Sequence, residues 1–167
     1  MKTLYVVGGA MGAGKTTTCR LLRDRLDNSV LLDGDWLWDM HPFCVNDVTK
    51  KLVTDNIVAV LNNFLSCPAL DNVVFCWVLH RQEVLDGLLF RLHTAGWTVR
   101  RISLVCTPEA LRARLARDVA AGLRQPDVIG RSLAYLPLYG ALDTEKLDVS
   151  ACTPEEAAEA ILAGVRQ

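Results

Sequence analysis

Short apolar runs alternate along the chain with segments whose apolar residues recur at helical spacing. Because runs without alternation are typical of strands covered on both faces, we predict buried strands in these runs. The predicted strands are residues 3–8, 30–33, 73–79, 98–106 and the short segment KLDVS at 146–150. The predicted helices are residues 15–26, 46–65, 81–95, 107–118, 127–141 and 153–165.

This alternation predicts an α/β fold with three layers, in which helices cover both faces of a five-stranded parallel sheet. Right-handed crossovers bring the carboxyl ends of parallel strands to one edge, and ligands of open α/β sheets bind at that edge. The candidate functional residues are therefore those that directly follow a predicted strand. They are residues 8–17, residues 33–38, His80, Arg81 and Thr107.

Composition limits the classes of protein to consider. The 167 residues are 51% hydrophobic and 22% charged, which predicts a single globular domain over 1–167. The net charge of −1 gives no indication of a nucleic-acid partner. No apolar run approaches the roughly 20 residues that span a bilayer. The six cysteines are scattered without a C-x-x-C pair, so we expect free thiols in a reducing cytoplasm.

The first predicted strand runs into a glycine-rich loop, GAMGAGKT at residues 9–16, which fits G-x-x-x-x-G-K-[ST] at every fixed position. Glycine permits close backbone approach to phosphate, and the following helix adds its positive N-terminus. We expect Lys15 to reach the outer phosphates and Thr16 to ligate Mg²⁺. The predicted nucleotide-binding residues are Gly9, Ala10, Met11, Gly12, Ala13, Gly14, Lys15, Thr16 and Thr17. The motif resembles that of the P-loop NTPase superfamily, which implies ATP and Mg²⁺ as cofactors.

The segment LLDGDWL places two carboxylates, Asp33 and Asp35, at and just beyond the end of the second strand. Burying carboxylates beside a phosphate loop is costly unless they meet cations or take part in chemistry. Asp33 could hold Mg²⁺, and Asp35 could orient and deprotonate an acceptor hydroxyl. An alternative is an Asx-type turn that Asp33 caps.

LLDGDWL is similar to the L-D-G-D segment of gluconate and adenylylsulfate kinases, and shikimate kinases and chloramphenicol phosphotransferase-like proteins have a related pattern. This resemblance implies that Asp35 is the catalytic base. The segment VLHRQEVL lacks the substrate residues of gluconate kinases, and the third strand lacks an acidic Walker B residue, so the metal would depend on Asp33. A looser similarity, in the segment around His80, is to tunicamycin-resistance-type P-loop proteins.

Residues 109–131 contain five arginines and three acidic residues. Arg114 and Arg117 are three residues apart and share one helix face. The R-L-x-x-R pattern resembles the start of the mobile lid of nucleotide and metabolite kinases. That resemblance implies a short lid near 117–131, with Arg117 and Arg124 on the transferring phosphates. The alternative is an ordinary exposed helix face.

Aromatic residues cluster beside the predicted base. Trp36, Trp38 and Phe43 indicate a flat, partly apolar acceptor such as a nucleoside or an antibiotic, although such residues also occur in protein cores. His80 and Arg81 leave the third strand toward the same edge and are further candidates for acceptor binding.

The sequence therefore predicts an ATP-dependent, Mg²⁺-dependent small-molecule kinase. The predicted catalytic residues are Asp35, Lys15 and Arg117. The expected partners are ATP and an unidentified small acceptor, without nucleic acid or membrane, for a cytoplasmic monomer or homodimer. The alternatives are a nucleoside-monophosphate kinase, a non-catalytic ATP-binding protein that acts through a protein partner, and a resistance protein that sequesters its ligand.

Overall fold

A computed structural model describes residues 1–164 of the chain. Five strands form one parallel sheet in the order β2-β3-β1-β4-β5. The strands are β1 Lys2–Gly9, β2 Ser29–Asp33, β3 Asn72–Cys76, β4 Trp97–Val105 and β5 Glu145–Asp148. The α-helices are α1 Lys15–Asp24, α2 Asp47–Leu65, α3 Gln82–Phe90, α4 Pro108–Ala120, α5 Val128–Tyr135 and α6 Pro154–Ala163. Two 3-10 helices cover Gly34–Trp38 and Leu136–Ala141.

The central strand β1 explains why the sheet has two covered faces. Its side chains alternate between the faces, so Tyr5 and Val7 pack in one core and Leu4 and Val6 in the other. The first core contains residues of α1 and α6, and the second contains residues of α2 and α3. The α/β fold with a five-stranded parallel sheet and helices on both faces is therefore confirmed.

A third apolar cluster joins the phosphate loop to the segment between β4 and β5. Leu111 and Leu115 of α4 pack with Val128 of α5, with Tyr139 and with Ala10 of the loop. All five side chains are buried. This cluster fixes α4 beside the loop, at the carboxyl edge of the sheet.

The third predicted helix and the third predicted strand end well before their expected bounds, and the helix predicted over 127–141 is divided into α5 and a 3-10 helix. The helix predicted over 81–95 stops at Phe90, because the Asn62 side chain of α2 donates to Arg91 O at 3.1 Å and accepts from His93 N at 2.8 Å. These bonds occupy the carbonyl of Arg91 and the N–H of His93, which a longer helix would use for its own backbone hydrogen bonds. The strand predicted over 73–79 stops at Cys76, and Trp77 leaves the sheet after one last bond to Val7 O at 3.2 Å.

Threonine side chains cap α4 and α6. The Thr107 side chain accepts from Ala110 N at the start of α4, where Pro108 is the first helical residue. Thr153 and Glu156 form a reciprocal capping box at the start of α6. The predicted last residue of that helix, Val165, lies outside the described residues. Within residues 1–164, no helix is both long and apolar enough to cross a membrane.

Candidate active site

The phosphate loop, residues 9–16, connects β1 to α1 and requires glycine at two positions. Gly12 and Gly14 have φ values of 84° and 92°, in the left-handed region that glycine adopts without strain. Gly12 also lies against α4, since a Cβ there would come within 2.5 Å of Leu115 Cδ2. The loop conformation and the packing of α4 therefore depend on the same residue.

Lys15 places its ammonium group in the middle of this loop. Its Nζ donates to Gly9 O at 2.8 Å and to Ala10 O at 3.0 Å, and the residue is 9% exposed. Burial lowers the pKa of Lys15, and the nearby carboxylates, Asp35 before Asp33, partly oppose that effect. A buried cation held by backbone carbonyls at a helix N-terminus is suited to bind a phosphate chain.

Asp33 connects the phosphate loop to the end of β2. Its Oδ2 accepts from Thr16 Oγ1 at 2.5 Å, and its Oδ1 accepts from Asp35 N at 3.0 Å. Asp33 thus caps the turn, as the Asx-turn alternative predicts, and also meets the Thr16 hydroxyl. A hydroxyl and a buried carboxylate are suitable oxygen donors for Mg²⁺, which completes its shell with phosphate oxygens and water. Among residues 1–164, no three His, Cys, Asp or Glu side chains gather as a metal site of their own.

The glycine between the two aspartates is fixed by an aromatic ring. A Cβ on Gly34 would lie 2.6 Å from Trp77 Cγ, so the Trp77 ring covers this glycine directly. Burial and the charge of Asp33 raise the pKa of Asp35, while Lys15, Arg124 and a hydrogen bond from the Trp77 side chain act to lower it. From the sequence, Trp77 was predicted only as part of the strand over 73–79.

A cleft of about 830 Å³ runs along the phosphate loop. Its walls come from the loop and α1, from α4 and the segment that follows it, and from the loop between β5 and α6. Four predicted residues line it together, namely Lys15, Asp35, Arg117 and Arg124. Met11, Gly12, Ala13, Gly14, Thr16 and Thr17 also line it. Gly9 and Ala10 do not line the cleft, and their carbonyls accept hydrogen bonds from Lys15 Nζ.

The far wall of the cleft was not predicted from the sequence. Residues 149–154, between β5 and α6, line it, as do Arg114 and Asp118. Arg114 donates to Val149 O and, at 3.5 Å, to Ser150 O, which ties α4 to this loop. The three-residue spacing of Arg114 and Arg117 predicted their common face correctly, and both line the cleft. Thr107, a candidate by position, does not line the cleft; it caps α4 and donates its N–H to Ser150 Oγ at 2.8 Å.

The other predicted acceptor residues lie outside the cleft that Asp35 lines. Trp36 is 47% exposed and Phe43 is 67% exposed, and the ring of Trp38 lies 6.2 Å from that of Phe43. His80 stacks on Tyr135 of α5 at 4.3 Å, and burial lowers its pKa. Arg81 is exposed and lies 3.7 Å from Glu83.

Solved structures with the same fold include several small-molecule kinases. A sugar kinase from Janibacter sp. HTCC2649 has a TM-score of 0.70 at 16% identity, over 98% of this chain and 94% of that one. A gluconokinase from Sinorhizobium meliloti 1021 has a TM-score of 0.69 at 19% identity, over 96% and 90%. The Deinococcus radiodurans tunicamycin resistance protein has a TM-score of 0.64 at 19% identity, over 99% and 98%.

The similarity at these identities concerns the fold, and it confirms the predicted resemblance to the gluconate and shikimate kinase group and to tunicamycin-resistance-type proteins. No curated protein sequence matches the chain. A family model described as an AAA domain matches residues 6–122, which include the phosphate loop, both aspartates and all of α4. The chain therefore belongs to this AAA domain family and has a P-loop NTPase-like fold.

Proposed function

We propose that the protein is a kinase that transfers the γ-phosphoryl group of ATP to a hydroxyl group of a small molecule. The observation that carries this proposal is the shared cleft, which Lys15, Asp35, Arg117 and Arg124 all line. The acceptor oxygen forms a bond to the γ-phosphorus, the bond to the β,γ-bridging oxygen breaks, and ADP leaves. Asp35 accepts the proton of the hydroxyl.

The other residues of the site bind the phosphates and compensate their negative charge. Lys15 and the N–H groups of the phosphate loop hold the phosphate chain. Thr16 and Asp33 are the residues that would hold Mg²⁺, which neutralises charge on the phosphates when it is bound. Arg117 and Arg124 spread positive charge over the transferring group. The nucleotide base fits between α4 and residues 149–154, which form the remaining wall of the cleft.

The carboxylate Asp35 distinguishes the proposed reaction from its alternatives. An acceptor phosphate needs no base, so a nucleoside-monophosphate kinase has no use for this residue. A conformational switch has no acceptor at all. We also propose that the chain acts as one domain with a lid near 117–131, in the reducing cytoplasm that the six scattered cysteines indicate.

Consumption of ATP tests the proposal. The protein is incubated with ATP, Mg²⁺ and pools of sugars, nucleosides and antibiotics, and ADP is measured. We expect one pool to accelerate ATP consumption by orders of magnitude over the rate with water alone. Acceleration by nucleoside monophosphates only, or by none of the small-molecule pools, would exclude the hydroxyl kinase.

Replacement of Asp33 by Asn should raise the Mg²⁺ concentration needed for half-maximal turnover by about tenfold, because the amide keeps the turn but loses the charge. The measurement is ATP turnover as a function of Mg²⁺ concentration. Asp71→Asn is the control, since Asp71 is a half-buried aspartate that accepts from Asn28 at 2.8 Å and lies outside the cleft. Equal Mg²⁺ curves for Asp33→Asn and the wild type would remove Asp33 from the metal site.

The acceptor itself should carry an aromatic or apolar group. Trp36 directly follows Asp35 and is half exposed, and Phe43 is largely exposed although large aromatic side chains are usually covered. The Trp36 ring lies outside the cleft but directly follows Asp35 in the chain, so it is suited to stack on a flat acceptor that extends beyond the cleft.

Trp36→Ala should therefore raise the KM for the acceptor about two- to tenfold, with little change in the KM for ATP, because stacking on an aromatic ring contributes about 0.5–1.5 kcal/mol. Phe90→Ala is the matched control, since Phe90 is 92% exposed at the end of α3. Steady-state kinetics with each substrate varied in turn provide both constants. An unchanged acceptor KM would place the acceptor elsewhere.

A further inference from the structure

The cleft contains an acidic residue that the proposed reaction does not use. Asp118 lies near the end of α4 and lines the cleft together with Lys15 and Arg117. ATP brings several negative charges into this cleft, and a carboxylate there repels them unless a cation compensates it. Asp118 has such a cation, since its Oδ2 accepts from Arg124 Nε at 3.0 Å.

The geometry of this bond leaves most of the guanidinium group available. An arginine has five N–H donors, and Asp118 engages the one on Nε. Within residues 1–164, Arg124 has no second hydrogen-bond partner, so its four terminal N–H groups are available to a ligand. Arg124 lines the same cleft as Asp35, and its charge acts to lower the pKa of that carboxyl group. The two side chains therefore face the same part of the site.

The backbone of Asp118 holds the same segment. Its carbonyl accepts from Leu123 N at 2.9 Å, so the chain turns back on α4 immediately before Arg124. One residue therefore fixes both the turn and the side chain that follows it. The side chains of Arg124 and Asp118 are 38% and 35% exposed. Ion pairs at such exposure contribute little to folding stability, so this pair more plainly serves to hold the Arg124 side chain in place.

A second ion pair of the same kind lies close by in the chain and provides a comparison. Arg131 and Asp127 meet at 3.0 Å at the start of α5, with side chains 58% and 63% exposed. Neither residue lines the cleft. The Arg131–Asp127 pair is therefore an arginine–aspartate pair like Arg124–Asp118, but it lies outside the cleft.

We propose that Asp118 is a positioning residue, which holds Arg124 by Nε so that the terminal N–H groups of the guanidinium meet the γ-phosphoryl group. The inference rests on the proposed function, because it requires ATP in the cleft. Without Asp118, the Arg124 side chain must give up its rotamer freedom on binding, which costs affinity for the γ-phosphoryl group alone. ADP lacks that group, and its affinity should not depend on Asp118.

Calorimetric titration of the full chain with ADP and with the β,γ-imido analogue of ATP, both with Mg²⁺, tests this role. Asp118→Asn should weaken binding of the analogue about three- to tenfold and leave the affinity for ADP within about twofold. Asp118→Glu should recover most of the lost affinity. Asp127→Asn should bind both ligands like the wild type, and equal melting temperatures of the variants show that each is folded.

The double variant shows whether Asp118 acts through Arg124. In an Arg124→Ala background, Asp118→Asn should cause no further loss for the analogue. The proposal is overturned by an equal loss for ADP and the analogue, by tighter binding of the analogue to Asp118→Asn, or by a loss that persists without Arg124. A wild-type protein that binds neither ligand contradicts the kinase itself, a result distinct from all three.

Discussion

Asp35→Asn should bind ATP with near wild-type affinity and lose phosphoryl transfer by about 10²- to 10⁴-fold. The amide has nearly the shape of the carboxylate, so the contacts with Trp77 and the turn after β2 can persist. It cannot accept a proton from the acceptor hydroxyl. The measurement is single-turnover transfer, combined with a separate titration of ATP binding.

Asp39→Asn is the matched control, because Asp39 is an exposed aspartate four residues further on, directly after the 3-10 helix. It should turn over like the wild type. If Asp35→Asn transferred phosphoryl groups within a few-fold of the wild-type rate, Asp35 would not be the base. A loss of ATP affinity as large as the loss of transfer would assign Asp35 to nucleotide binding instead.

Lys15→Ala should weaken binding of ATP about 10- to 100-fold, since a hydrogen bond between a charged lysine and phosphate contributes about 1.5–3 kcal/mol. Transfer should fall further, because Lys15 also stabilises the charge that develops on the phosphates. Affinity is measured by calorimetric titration and transfer by single turnover. Lys15→Arg should not restore either, since the longer planar group does not fit between Gly9 O and Ala10 O.

Lys51→Ala provides the comparison for this variant. Lys51 is exposed on α2, where it pairs with Asp55 at 2.6 Å, away from the cleft. Its loss should leave ATP affinity unchanged. Unaltered ATP affinity of Lys15→Ala would mean that residues 9–16 do not bind the phosphates.

Local patterns in the sequence were sufficient for the sheet and the phosphate loop. Strands β1, β2 and β3 are built on uninterrupted apolar runs, and the loop depends on residue types at fixed spacing, so these elements can be predicted without tertiary information. The rule that strand ends meet at one edge also brought Lys15 and Asp35 together correctly. The end of α3 could not be predicted in this way, because it depends on Asn62, almost thirty residues earlier in the chain.

The walls of the cleft also depend on contacts between segments that are distant in the chain. Residues 149–154 are held at the cleft by contacts from other segments, among them Arg114, which donates to the carbonyls of Val149 and Ser150. The sequence predicts Gly34 as a turn residue, but the reason why no side chain fits there is the Trp77 ring packed against it. Asp118 looked like one acidic residue on a basic helix, and its significance follows from its bond to Arg124 across the turn. The roles of these residues depend on contacts between segments, and the spacing of residues within one segment does not reveal them.

The mass of the acceptor tests most directly whether the protein is a kinase that uses Asp35 as its base. The wild-type protein and Asp35→Asn are each incubated with ATP, Mg²⁺ and pooled metabolites, nucleosides and antibiotics, and the products are analysed by mass spectrometry. We predict that one hydroxyl compound gains the mass of a phosphoryl group with the wild type, in step with ADP release, and remains unmodified with Asp35→Asn. Release of ADP and inorganic phosphate with no modified compound, or equal modification by both proteins, would contradict a kinase that uses Asp35 as its base.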